Sequence, residues 1–117
     1  VVLVKRVSVK EVPERTGRNE VFLEGRVSNV PVEKQLPSGD SVVEFRLVID
    51  RKNRRSLRRE VDTLDVAAWL ATPRKRALSL SIGDWVCVEG SVHRRFWKSS
   101  TGLASRWQVE ARHLKRV

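Results

Sequence analysis

The run Val42-Val43-Glu44-Phe45-Arg46-Leu47-Val48-Ile49-Asp50 is followed by Arg51-Lys52-Asn53-Arg54-Arg55-Ser56-Leu57-Arg58-Arg59. Glu60 then leads into Val61-Asp62-Thr63-Leu64-Asp65-Val66-Ala67-Ala68. In the first run Val43, Phe45, Leu47 and Ile49 alternate with Glu44, Arg46 and Val48. A period of two sends alternate side chains to opposite faces, so this run is a half-buried β-strand. The run from Val61 to Ala68 resumes as a further strand. Between them, six of nine residues are Lys or Arg and none is acidic. A cationic arm of this kind is a poor core element and well suited to hold a polyanion.

The same strand chemistry extends in both directions. Residues 19–30 read as a strand with Val21, Leu23 and Val27 on one face, and Gly25 on that face allows bending or close backbone approach. Leu36-Pro37-Ser38-Gly39-Asp40 is a turn, since Pro presets one dihedral and Gly tolerates a positive one. Residues 70–80 are the one helix candidate, with Pro73 in its first turn and Gly83 as a stop just beyond it. Residues 85–92 form a fourth strand with Val86, Val88 and Val92 on one face. Ser99-Ser100-Thr101-Gly102 is a hairpin loop, and residues 106–114 close as a fifth strand. The order predicts an all-β, five-stranded OB-fold barrel with one short helix between the third and fourth strands. That fold carries oligonucleotides on its outer face and connecting loops.

The chain has 117 residues, the size of a single domain, and a formal net charge of +10. Residues 1–18 read as an N-terminal arm or edge strand with a linker, and residues 19–117 as the oligonucleotide-binding domain. An apolar content of 40% is enough for one core, and a charged content of 32% is too dense for a membrane protein. No apolar run approaches the roughly 18 residues of a membrane-spanning helix. Lys5, Arg6, Lys10 and Glu11 interrupt the opening stretch, so it is not a signal peptide. The charge sits in loops and strands and not on a basic amphipathic helix, which favours nucleic acid over a membrane surface. Cys87 is the one cysteine, a partly buried packing residue that excludes an intrachain disulfide or thiolate cluster. A cytoplasmic location, with nucleoid association, is expected. The chain begins with Val1, and its ends are not read as biological termini.

Catalytic constellations are not visible. His93 and His113 have no metal-ligand spacing. Asp62 and Asp65, three apart on a strand, fall on opposite faces. No phosphate-cradling or dinucleotide motif is present. The expectation is a non-enzyme with no cofactor, no metal and no small-molecule substrate.

Asn19-Glu20-Val21-Phe22-Leu23-Glu24-Gly25-Arg26-Val27 resembles the opening strand of bacterial single-stranded-DNA-binding proteins. So do Pro31, Leu36-Pro37-Ser38-Gly39 and the alternating strand 43–49. Gly83-Asp84-Trp85-Val86-Cys87-Val88-Glu89-Gly90-Ser91-Val92 resembles that family's fourth strand. The resemblance runs from Asn19 to Leu114. It implies an OB-fold, usually a homotetramer, that binds single-stranded DNA without strong sequence preference and stacks bases on aromatics. By position, Trp69 and Trp97 fall on two of the family's stacking sites, while Asn53 and Thr63 fill two others. The resemblance therefore implies a divergent member, lacking the acidic C-terminal tail by which the family recruits partners.

Parity along the fourth strand puts Cys87, Ser91, His93, Arg95 and Trp97 opposite Val86, Val88 and Val92. Trp97 beside Arg95 and near Lys98 suits base stacking, with covering a barrel end as the alternative. Trp69, at a strand–helix junction, either stacks a base or plugs the core. Trp85 and Trp107 are read as packing or interface residues, and Phe96 as core. Arg51, Lys52, Arg54 and Arg55 are candidate phosphate contacts in the basic arm, with a solvated loop as the alternative. Arg46, on the polar face, is the preferred strand-borne phosphate contact, and Arg94, Arg95, Lys98, Lys34 and Arg106 extend the track. Arg74-Lys75-Arg76 is read as a solvated face or secondary path. The expected role is non-catalytic, largely sequence-independent binding of single-stranded DNA in replication, recombination or repair, by a dimer or tetramer. An RNA-binding module and an interaction protein docking on a replication partner remain as alternatives.

Overall fold

A computed structural model describes residues 17–51 and 60–117. The expected N-terminal arm lies outside the described residues, apart from its end, Gly17 and Arg18. So does the basic segment after Arg51, with Lys52, Asn53, Arg54 and Arg55. The elements in order are β1 (Val21–Val27), β2 (Val32–Gln35), β3 (Ser41–Arg51), β4 (Glu60–Ala68), α1 (Ala71–Leu78), β5 (Trp85–Ser99) and β6 (Gly102–Arg116). Hydrogen bonding runs β1-β5-β6-β4-β3-β2, and a further β1–β3 pairing, Arg26 with Val48 and Val27 with Leu47, closes the sheet. The result is a closed barrel of β1, β3, β4, β5 and β6, with α1 between the third and fourth barrel strands. This is the expected OB-fold layout. All neighbours are antiparallel except β4 and β6, which pair in parallel through Val66–Val109 and Ala67–Glu110.

The alternation in β3 does what its period demands. Val43, Phe45 and Leu47 enter the core while Arg46 faces solvent. They meet Val27 of β1, Val66 and Ala68 of β4, Val86 and Val88 of β5, and Val109, Ala111 and Leu114 of β6. Burial of a Val or Leu side chain contributes about 1.5–3 kcal/mol, so this cluster is the main attractive term. Truncating Leu47 to Ala would cost about 2–5 kcal/mol. Helix α1 packs onto it with buried Pro73 and Ala77, and Leu80 follows. Pro73 is the third helical residue, where its missing N–H breaks no intrahelical bond.

Four expectations need correction. A sixth strand, β2, pairs with the start of β3 outside the barrel; all four of its residues are exposed, so no burial pattern announces it. The helix ends at Ser79, and Gly83 (φ 93°) instead forms the turn into β5, its N–H bonding the Val27 carbonyl at 2.8 Å. Strands β5 and β6 are 15 residues each and run on past the barrel as a two-stranded arm. From Gly102 to Gln108 the β6 strand pairs with β5 and not with β4. Phe96 keeps the core-side parity, but it lies on this arm, beyond the core, and is 57% exposed.

Candidate nucleic-acid interface

The outer face of β3 and β4 and one face of the arm enclose a groove of about 460 Å³. Its walls include Lys34 from β2, Glu44 and Arg46 from β3, Asp65 from β4, Arg95 and Trp97 from β5, and Arg106 from β6. Cross-strand register builds it. Arg46 stands opposite Asp65, Arg95 opposite Arg106, and Trp97 opposite Ala104. Directly opposed residues share a face, so these side chains converge. Trp97 is 43% exposed beside the small Ala104, which leaves its ring free for a flat ligand.

Two carboxylates organise the cations. Glu44 accepts from Arg95 Nη1 at 2.6 Å and from Gln108 Nε2 at 3.0 Å, and it pairs with Lys34 Nζ at 2.8 Å. Asp65 pairs with Arg46 Nε at 3.6 Å and with Arg106 Nη1 at 3.1 Å. Burial alone would raise the Glu44 pKa. Hydrogen bonds from Lys34 and Gln108, with the charges of Lys34 and Arg95, more than offset it and hold the carboxyl below its ordinary 4.5. Glu44 is thus ionised at neutral pH, and its partners are positioned before any ligand arrives. The Arg46 backbone N–H donates to Asn29 Oδ1 at 2.7 Å, anchoring the chain after β1 to the same strand.

The structure brings together Trp97, Arg95, Arg46, Lys34 and Arg106. It does not bring Trp69 to them. Trp69 is half-buried after β4, its carbonyl accepting from Arg74 Nη1 at 2.9 Å, and it does not line the groove. Arg94 lies on the opposite face of the arm, and Lys98 stands near the tip opposite Leu103. Arg51, at the end of β3, pairs with Asp62 at 2.6 Å, and this hydrogen bond raises its pKa. Asp62 and Asp65 thus serve different cations, as their parity requires. Arg74 is half-buried and so less solvated than expected, while Lys75 and Arg76 are exposed, with Arg76 Nη1 bonding the Leu114 carbonyl at 3.0 Å. Glu44, Asp65 and Gln108 were missed from sequence. Glu44 was the traceable one, as a carboxylate two residues before Arg46 on the same strand face.

Little here favours covalent chemistry. Ser91 Oγ and His93 Nε2 lie 2.8 Å apart, but Ser91 is only 8% exposed. Desolvation first, and then Glu24 at 3.7 Å from Cys87 Sγ, push the thiol pKa up, away from a reactive thiolate. Among the described residues no group of three or more His, Cys, Asp or Glu is placed to hold a metal ion. No helix among them is long and apolar enough to cross a membrane.

Over residues 18–117 the chain matches the profile of the Single-strand binding protein family. It is 30% identical over 102 residues to a single-stranded DNA-binding protein of Aquifex aeolicus, covering 85% of this chain and 69% of that protein. It is 30% identical over 87 residues to one of Thermotoga maritima, covering 72% of this chain and 62% of that protein. With single-stranded DNA-binding protein 3 of Clostridium acetobutylicum the identity is 28% over 85 residues, covering 72% of this chain and 59% of that protein. Among solved structures, the Plasmodium falciparum SSB complex with ssDNA superposes with a TM-score of 0.74 at 23% identity, covering 88% of this chain and 97% of that one. That likeness establishes the fold. With a profile match across residues 18–117, the chain belongs to the Single-strand binding protein family.

Proposed function

We propose that the chain binds single-stranded DNA non-catalytically and with little sequence preference. The observation that carries this reading is the groove in which four strands place Lys34, Arg46, Arg95 and Arg106 around the exposed ring of Trp97. The cations track phosphates, and the indole stacks a base. Every base has a flat face, so such a site tolerates sequence. Phosphate contacts release counterions and make the affinity fall with salt. Membership of the family and the names of the relatives support the same ligand. Service in replication, recombination or repair, in the cytoplasm and at the nucleoid, belongs to the same proposal. So does a dimeric or tetrameric state, for which exposed Phe22 on β1 and Trp85 on β5 offer apolar contact surface.

The test is Trp97→Ala, with circular dichroism to verify the barrel. Stacking is worth about 1–3 kcal/mol per base, so the variant should bind a single-stranded oligonucleotide roughly fivefold or more weakly. Unchanged affinity on an intact barrel would remove Trp97 from the site. A wild-type chain that binds duplex as well as single strands would overturn the ligand class.

A further inference from the structure

The arm has a second face, which the groove does not use. Arg94 pairs with Trp107, Phe96 with Ser105 and Lys98 with Leu103, so these six residues lie on one side. Lower on the same strands that side carries Val92 and the core residue Val109. On the arm it is open: Phe96 is 57%, Trp107 60% and Leu103 73% exposed. The Arg94 guanidinium carbon lies 5.6 Å from the Phe96 ring centroid and 5.4 Å from that of Trp107. Its Nε and Nη2 donate to Ser105 Oγ at 3.0 and 2.8 Å.

The contrast with the groove is electrostatic. There Arg95 and Arg106 each meet a carboxylate. Arg94 is held by a neutral hydroxyl and two rings, and among the described residues no carboxylate pairs with it. Residues 93–108 carry Arg94, Arg95, Lys98 and Arg106 and no Asp or Glu. A second copy of this chain docking here would set Arg94 against another cationic arm. An apolar partner would leave that charge without a counterion. A ligand with flat apolar rings and an anionic backbone satisfies the rings and the guanidinium together.

We infer that this second face is a base-stacking platform for single-stranded nucleic acid. The strand leaving Trp97 continues around the arm, lays bases on Trp107 and Phe96, and gives phosphates to Arg94 and Lys98. The inference rests on the single-strand reading of the groove.

The experiment compares wild type with the Phe96→Ala/Trp107→Ala double variant on oligodeoxythymidylates of increasing length. On oligomers long enough to reach both faces, the variant should lose roughly tenfold or more in affinity. On the shortest oligomers that still bind, which Trp97 serves, it should match wild type. Affinity within about twofold of wild type at every length overturns the platform, as does a fall in mass by light scattering with DNA affinity retained. Failure of wild type to bind any single strand sinks the groove reading as well, so the two failures are separable. Photocrosslinking the unaltered chain to 5-iododeoxyuridine oligomers needs no substitution. Adducts on Trp107 or Phe96 are expected, and adducts confined to the Trp97 face would overturn the platform.

Discussion

Arg95 and Glu44 are 51 residues apart in the chain and meet at 2.6 Å, across the groove between the arm and β3. The pair fixes Arg95 in place and also neutralises it. The same is true of Lys34 on Glu44 and of Arg46 and Arg106 on Asp65. A phosphate entering this groove exchanges one anionic partner for another. The face is preorganised, and part of its attraction is already spent.

Replacing Glu44 with Gln should expose that trade. The amide keeps an acceptor for Gln108 and removes the charge. Surface-type ion pairs couple by up to about 1 kcal/mol, so binding at low salt should strengthen by about two- to fivefold. Stability should fall by about 1 kcal/mol in a urea titration, since Lys34 and Arg95 lose their partner. Weaker DNA binding by a stably folded Glu44→Gln chain would show that Glu44 positions more than it competes.

The pH dependence follows from the same carboxylate. Its folded pKa lies below the ordinary 4.5, so the unfolded chain takes up a proton first as pH falls. The Glu44 contribution to stability is therefore present above about pH 4.5 and is lost as pH falls through the folded value. Oligonucleotide affinity should rise over that window, as Lys34 and Arg95 are released to phosphate. Thermal melts and binding isotherms of wild type and Glu44→Gln in parallel check both signs, and the variant should lack this component.

The barrel was legible in the sequence because its signal is local. Val43, Phe45 and Leu47 alternate with polar residues, and the strand order follows from such runs and the turns between them. Parity also placed Trp97 and Arg95 on the groove side. The arm was not legible, because parity says which side a residue takes and not where the core ends. Phe96 shares the side of Val109 but stands beyond the last barrel contact. The ion-pair lattice was hidden for a different reason. Glu44 meets Arg95 and Gln108 only once β3, β5 and β6 are in register, and register depends on one extra residue in β6. Glu89 faces His113, but Gly90 faces Ala111, leaving Arg112 unpaired.

Salt dependence should separate paired from unpaired cations. Each phosphate contact on a single strand contributes about 0.7 to the slope of log affinity against log salt. Lys98, for which the described residues offer no carboxylate partner, should show nearly that full loss when replaced with Ala. Arg46→Ala should reduce the slope less, because its phosphate contact first displaces Asp65 at 3.6 Å. Titrations between low and moderate salt on one oligonucleotide give both slopes, and equal losses would refute the exchange picture.

Gly90 and Gly102 bracket the arm and should respond differently to Ala. Gly90 lies at the register shift, where a Cβ would collide with the Glu110 carbonyl and approach Ala111 Cα to 3.2 Å. These obstacles are backbone and cannot rotate aside, so Gly90→Ala must push β5 away from β6 at the root of the arm. A cost on the order of 2–3 kcal/mol is expected. Because the arm carries Arg95 and Trp97, its altered angle should also weaken DNA binding under conditions where the chain is still folded. Gly102, at the tip, has φ 130° and open space where a Cβ would go. Its replacement meets backbone strain alone, about 1 kcal/mol, and leaves the barrel and the root of the arm in place. Urea midpoints and oligonucleotide affinities of the two variants should therefore diverge, with Gly90→Ala the more damaged in both. Similar losses would mean that close strand approach at Gly90 does not set the arm.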